Sequence, residues 1–278
     1  MDLQTYRQTS LETWDEMAPG WEDLREWQLD TTGAVNVWLV DQADPQPDQT
    51  ILDVAGGTGD LGFLAAERLG ERGKLITTDF APEMLEAAQR NGKQRGLSNV
   101  EYRVLDAERM DLEDDSVDAV VCRWGYMLMA DPGAALKETR RVLRDDGTLA
   151  FAVWQTPDRN PWAALPGMTL VQRGHMPPPE PGAPGIFAMG ERDRTLELVA
   201  GAGFGEPQVE ELTFEWRYGA DELWETLTRL AGPFARVIKE LPEGERKTTR
   251  AAIEESMEQF LQDGERVVPA ACWGVVAR

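Results

Sequence analysis

Apolar and polar positions along this chain follow two rhythms. The first is a set of short apolar runs, Ile51–Ala55, Lys74–Thr78, Val100–Leu105, Val117–Arg123 and Thr148–Trp154, which read as buried strands. The second is helical spacing between them. Leu61–Leu69 reads as a helix, and so does "APEMLEAAQRNGKQRG", which has Pro82 near its start and glycine at its end. A third helix opens at the capping residue Asp131, with Pro132 at its first position and Ala135, Leu136, Val142 and Leu143 on its apolar face. "RDDG" then turns into the fifth strand. Alternation of this kind predicts a mostly parallel sheet with helices on both faces.

The flanks break the rhythm. Residues 1–45 carry Trp14, Met17, Trp21, Val35, Trp38 and Leu39 at helical spacing, which predicts a helical cover. After Trp154 comes a proline-glycine stretch, Pro177–Gly185, read equally as a lid or a connector. A helix, Arg192–Ala202, and a strand, Gln208–Trp216, follow. Two helical segments come next, one around Leu223, Trp224, Leu227 and Leu230, the other around Ile253, Met257, Phe260 and Leu261. The terminal "RVVPAACWGVVAR" reads as a seventh strand that forms an antiparallel edge hairpin with Gln208–Trp216. The expected organisation is one integrated domain: a helical cover (1–45), a core (46–155), and the rest of the sheet with a loop and a helical insertion before the last strand (156–278).

Charge narrows the partners. The 278 residues carry a formal net charge of −22. A chain this acidic is repelled by phosphate backbones and anionic lipid, so neither nucleic acid nor a membrane surface is expected as a partner. Lysine is scarce and arginine common, as GC-rich coding or a salt-adapted proteome would produce. The only cysteines, Cys122 and Cys272, lie in apolar runs, so no disulfide framework or cysteine-based metal site is implied. The polar, acidic first residues do not read as a signal peptide, and no apolar run reaches the roughly 20 residues of a membrane span. A cytoplasmic protein, monomeric or homodimeric, is expected.

Candidate chemistry concentrates in "ILDVAGGTGDLGF", Ile51–Phe63. Gly57-Thr-Gly-Asp-Leu-Gly62 fits the dinucleotide fingerprint, with Asp79 about 20 residues on, so a nicotinamide or flavin oxidoreductase is one reading. Three features point elsewhere: Asp53 inside the first strand, the compact cluster Ala55-Gly-Gly-Thr-Gly59, and the antiparallel terminal strand.

The same stretch resembles the first motif of class I S-adenosylmethionine-dependent methyltransferases, in particular the ubiquinone/menaquinone C-methyltransferase type, whose loop reads AGGTGD. "ITTDFAPEML", "VLDAERM" and "DSVDAVVCRWGYMLMADPGAALKETRRVLRDDGTLAF" resemble the later motifs in order, over roughly Trp14–Trp154. Asp145-Asp146-Gly147 stands where that family usually has Pro-Gly-Gly. The resemblance implies a Rossmann-like methyltransferase fold and S-adenosyl-L-methionine as cofactor. Ala55, Gly56, Gly57, Thr58 and Gly59 would let the main chain approach the methionine part and sugar. Asp53 would organise the loop and help attract the amino group. Asp79 would accept the ribose hydroxyls, or serve as a helix cap, or both. Phe80 and Met84 would sandwich the adenine, with Asp106 and the Ala107 amide at its edge and Trp21 over the site. Arg123 would contact the cofactor through its backbone carbonyl, since a buried guanidinium beside a sulfonium is costly. No metal is expected.

The methyl acceptor would lie beyond the strand C-termini among Trp- and Met-rich segments. That favours a small apolar or aromatic molecule, attacked at oxygen, carbon or nitrogen. If the acceptor is a phenol or acidic carbon, His175, the only histidine, is the candidate base, with Tyr126 or a carboxylate as rivals, no base at all as a further reading, and a solvated loop residue as the alternative for His175 itself. A protein that holds the cofactor without using it fits the same motifs.

Overall fold

The computed structural model describes residues 2–180, 182–219 and 221–278. Eight strands form one sheet: β1 (Thr50–Asp53), β2 (Lys74–Asp79), β3 (Val100–Val104), β4 (Val117–Arg123), β5 (Leu143–Trp154), β6 (Gln208–Tyr218), β7 (Leu261–Gln262) and β8 (Glu265–Ala277). The order is β3-β2-β1-β4-β5-β8-β6, with the two-residue β7 paired beside β8. Strands β1 to β5 are parallel, and β8 runs antiparallel to both β5 and β6. The expected seven-strand path is therefore present, with β7 as an addition. Ile51 and Leu52 have no exposed surface, as befits the centre of a parallel sheet covered on both faces.

Helices α1 (Leu3–Asp23) and α2 (Arg25–Ala43) precede the sheet, and α3 (Asp60–Leu69), α4 (Pro82–Gln94) and α5 (Pro132–Val142) make the crossovers. The Asp131 carboxylate accepts from the Ala134 amide at 3.0 Å, the cap that the sequence predicts for α5. After β5 come α6 (Pro161–Gln172) and α7 (Arg192–Gly201). Between β6 and β8 lie α8 (Glu222–Arg229), α9 (Gly232–Glu240) and α10 (Glu243–Ser256).

Three expectations need correction. The first strand ends at Asp53, not Ala55, because Ala55 turns to a positive φ of 52° and starts the loop. "RDDG" is not a turn before the fifth strand but a bulge inside it: Val117 pairs with Leu143, then Ala119 with Thr148. Gly147 is required there, since a Cβ would sit 2.5 Å from Leu143 Cδ1 and 2.9 Å from the Asp118 carbonyl. Finally, the late helical insertion has three helices rather than two, and α6 was not foreseen at all. Pro161, Pro166 and Gly167 punctuate α6, and Gly232-Pro233 opens α9, so sequence signals for a break mask both. Of the Pro177–Gly185 loop, Pro181 lies outside the described residues; Gly185 at its end donates to the Met127 carbonyl at 3.1 Å.

Candidate cofactor and acceptor site

The glycine loop is built on a buried acid. Asp53, at the end of β1, has no exposed surface, and its Oδ2 accepts from the Thr77 hydroxyl of β2 at 3.0 Å. A Cβ on Gly56 would lie 2.4 Å from that oxygen, and one on Gly62 2.5 Å from it. The glycines at 56 and 62 therefore make room for Asp53 beneath the loop, which supports its loop-ordering role. Burial pushes the Asp53 carboxyl up to about 7, against the pull of the Thr77 hydrogen bond and the Arg123 charge. Gly57 differs from these two. Its φ is +55°, and a Cβ there would meet nothing within 4 Å, so its outer face looks into open space.

Asp79, at the end of β2, closes the loop from the other side. Its Oδ2 accepts from the Gly57 amide and its Oδ1 from the Ala81 amide, both at 3.0 Å. It thus fixes the loop and the start of α4 at once. Burial raises its pKa to about 6, with the Ala81, Gly57 and Phe80 amides opposing. Thr58 is held through its carbonyl by Asn91 Nδ2 at 3.1 Å, and its hydroxyl donates to Asp60 at 3.0 Å. Gly59 caps α3 in the left-handed region with φ 91°.

Phe80 and Met84 pack in one apolar cluster with Trp14, Met17 and Trp21 of α1 and Ala235 of α9. The Trp21 indole donates to the Leu230 carbonyl at 3.1 Å, tying α1 to the insertion. Further bonds lash α1 across this end of the sheet. Tyr6 donates to the Leu128 carbonyl at 2.7 Å, Arg7 pairs with Glu108, and the Glu83 amide donates to Asp15 at 3.1 Å. Asp106 is exposed and accepts from the Glu108 amide at 2.9 Å, while Ala107 is buried beside it. The Leu105 amide donates to the Asp79 carbonyl at 2.9 Å, so the β3 loop and Asp79 are adjacent.

Arg123 ends β4. Its guanidinium donates to Asn36 Oδ1 at 2.8 Å and Thr32 Oγ1 at 3.2 Å on α2, and lies 4.9 Å from the centre of the Trp124 ring. Burial pulls its pKa below the usual arginine value. From Trp124 an aromatic chain runs along the same sheet edge. Trp124 stacks on Trp154 at 4.2 Å, Trp154 touches Phe214 at 5.7 Å, and Trp216 stacks on Trp27 at 5.2 Å. His175 follows α6. Its Nε2 is 3.2 Å from Thr249 Oγ1 and 3.7 Å from Glu245, both on α10, and no hydrogen bond joins it to the loop residues among those described.

The sequence reading missed Thr77, Asp60, Asn91, Thr32 and Asn36, which hold the predicted residues in place. A signal existed for the last three: each is a polar residue on an otherwise apolar helix stripe, and such residues are buried only with partners. Two cavities of about 440 and 430 Å³, one bordered by Lys74, Arg103 and Arg141, the other by Asp158, Phe214 and Pro269, lie away from the glycine loop.

Comparisons agree with this geometry. Residues 45–169 match a family model described as a methyltransferase domain. Over 119 residues the chain is 31% identical to the ubiquinone/menaquinone biosynthesis C-methyltransferase UbiE of Shewanella frigidimarina, covering 42% of this chain and 47% of that one. Over 113 residues it is 34% identical to the aklanonic acid methyltransferase DauC of Streptomyces sp., covering 41% and 51%. The chain thus spans about half the length of these curated relatives. The YcgJ protein of Bacillus subtilis shares the fold, with a TM-score of 0.59 at 16% identity over 87% of this chain and 96% of that one. The match runs across Gly57–Gly62, the segment that also fits a dinucleotide fingerprint. Residues 45–169 of this chain, which include Asp53, Asp79 and the glycine loop, are therefore similar to a methyltransferase domain.

Proposed function

We propose that the chain is an S-adenosylmethionine-dependent methyltransferase acting on a small apolar or aromatic molecule. The observation that carries this reading is Asp79, whose carboxylate joins the Gly57 and Ala81 amides beside the open face of Gly57. A carboxylate has about four acceptor sites, so beyond its amide bonds Asp79 keeps acceptor capacity for a ribose hydroxyl. The residues present fit the cofactor. The space a Cβ on Gly57 would enter is free for the methionine part and sugar, and Phe80 and Met84 offer apolar surface for the adenine. Asp106 and the Ala107 amide would meet the adenine edge, with Trp21 on the cover.

When bound, the cofactor supplies an electrophilic methyl group. The chain's own work is to bind, orient and exclude water. Asp53 shapes the loop, Asp79 fixes position, and α1 with α8 and α9 closes over the site. Residues 1–45 are then the cover, 46–155 the cofactor core and 156–278 the acceptor part. For His175, the contacts with Thr249 and Glu245 support a part in docking α6 on α10, and His175→Gln is expected to keep turnover within a few-fold. A cytoplasmic location and a monomeric or homodimeric state complete the reading; fractionation and sedimentation test them.

Calorimetric titration with S-adenosylhomocysteine, NADH and NADPH tests the cofactor. Saturable thioether binding is expected, weakened by roughly one to three decades in Asp79→Ala through loss of charge-assisted bonds. Saturable nicotinamide binding with none of the thioether overturns the reading. Thioether binding without methyl transfer to any component of a cell extract favours a non-catalytic holder.

A further inference from the structure

Helices α1 and α2 follow one another directly but belong to different parts of the molecule. They meet at Leu24, whose φ of −94° and ψ of 12° interrupt the helical run. Beyond it, α2 is rooted in the main core through Val35, Leu39, Val40 and Ala43. Among the described residues, α1 contributes no side chain to that core. Its Met17 and Ala18 are buried in a second, smaller cluster with Ala81, Met84 and Ala235, against which Trp14, Trp21 and Phe80 pack. The apolar contacts of α1 are therefore made on the walls proposed for the adenine, not on the body of the sheet.

The other ties of α1 are polar. It carries five acids, Glu12, Asp15, Glu16, Glu22 and Asp23, against one base, Arg7. In a chain with 28 Lys and Arg to 50 Asp and Glu, four of the scarce cations meet these acids. Glu12 lies 3.9 Å from Arg236 and Glu16 pairs with Lys239, both cations on α9. Asp23 pairs with Arg229 of α8, and Glu22 with Arg90 of α4 at 2.7 Å. At the far end Arg7 pairs with Glu108, which follows β3, and Tyr6 donates to Leu128, which follows β4. The helix thus crosses the ends of β2, β3 and β4 that carry Asp79 and face the glycine loop. In each of the five ion pairs one side chain is at least 42% exposed. Exposed pairs are individually weak and are screened by salt, over about 10 Å at 0.1 M and about 3 Å at 1 M. Burial of α2 in the core is not weakened in this way.

We propose that α1 is a strap hinged at Leu24 and latched by these ion pairs, and that its release controls entry and exit of the cofactor, so that ligand exchange quickens with ionic strength. The proposal rests on the methyltransferase reading for the word cofactor. The hinge and the latch do not depend on it.

Rapid-mixing displacement of bound S-adenosylhomocysteine tests the gate. The amino and carboxylate charges of this thioether cancel, so screening acts little on its encounter with an acidic chain. Dissociation is expected to be about fivefold or more faster at about 1 M NaCl than at about 0.05 M. In Glu12→Gln/Glu16→Gln/Asp23→Asn it is expected to be fast already at low salt and to change less than about twofold with salt. The equal charge change made away from α1, in Glu71→Gln/Asp146→Asn/Glu206→Gln, is expected to leave the wild-type rates. Amide hydrogen exchange of the free protein is the second measurement, with salt expected to speed exchange in α1 and not in α2. A dissociation rate indifferent to salt, equal rates in the two triple variants, or α1 amides that do not respond to salt makes α1 a fixed wall and overturns the proposal. If the thioether does not bind at all, the methyltransferase reading fails and the gate with it, while α1 exchange still decides the hinge and latch.

Discussion

The loop half of the site and the aromatic half solve the same problem in opposite ways. Around β1 and β2, polar groups are buried together with their partners: Asp79 with two amides, Thr58 with Asn91 and Asp60, Asp53 with Thr77. Around β4 to β6, polar atoms are buried among rings and several lack partners. Of the five buried side-chain atoms without a hydrogen bond among the described residues, Asp53 Oδ1 belongs to the first half, and Asn36 Nδ2, Trp124 Nε1, Trp216 Nε1 and Arg266 Nε to the second. A saturated network holds one geometry whether or not a ligand is present. An unsaturated one keeps binding capacity in reserve. That contrast sets a fixed loop beside a region whose buried polar groups are incompletely paired.

The largest expected effect separates the halves by pH. The titrating buried acids belong to the loop half, whereas the buried cation Arg123 stays charged. Asp53 and Asp79 rise from an ordinary 3.8 to about 7 and about 6. The folded chain thus holds protons that the unfolded chain releases above pH 3.8, so this contribution to stability is full below that pH. It is lost as pH rises to about 7 and is flat beyond. Urea unfolding of Asp53→Asn is expected to show a shallower decline between pH 4 and 7 than wild type, the difference being on the order of a few kcal/mol. Parallel curves would remove Asp53 from the account.

Next comes a pair of glycines. Gly56→Ala drives a Cβ to 2.4 Å from Asp53 Oδ2 and 2.5 Å from Thr77 Oγ1. It should cost about 3 kcal/mol or more, through overpacking and a broken buried bond. Gly57→Ala meets nothing and carries only the strain of φ +55°, about 1 kcal/mol. Equal losses in urea unfolding would mean that the two glycines do not differ in role.

The smallest effect compares the networks directly. Asn91→Ala strips a partner from the Thr58 carbonyl and should cost about 2 kcal/mol. Trp216→Phe loses ring area but also an unpartnered donor, and should cost under about 1 kcal/mol. A larger loss at Trp216 than at Asn91 by thermal unfolding would show the aromatic half to be the rigid one.

Much of the loop half was legible in advance. Apolar runs located β1 to β5, because strands covered on both faces must be continuously apolar, and the Asp53–Gly59 stretch marked the loop. Ala55 was misread as strand, since nothing in an alanine announces a positive φ. The helices α6 and α9 were obscured by proline and glycine, whose meaning depends on whether they fall in a first turn or an interior. His175 was legible as chemistry but not as place. Its bond to Thr249 spans 74 residues of sequence, and no local pattern encodes such a pairing.

The sequence by itself determined the order of strands and helices, the glycine loop with its two acids, and the family resemblance. Each depends on residues close together in the chain, where periodicity and backbone conformation act. Only the tertiary structure decided that Asp53 lies under the loop against Thr77, that α1 is lashed to α8 by Trp21 and Leu230, and that Arg123 is aimed at α2 beside unpartnered indoles. Those outcomes depend on which distant side chains share a buried space. A buried charge or donor takes its role from the partners that folding brings to it or withholds.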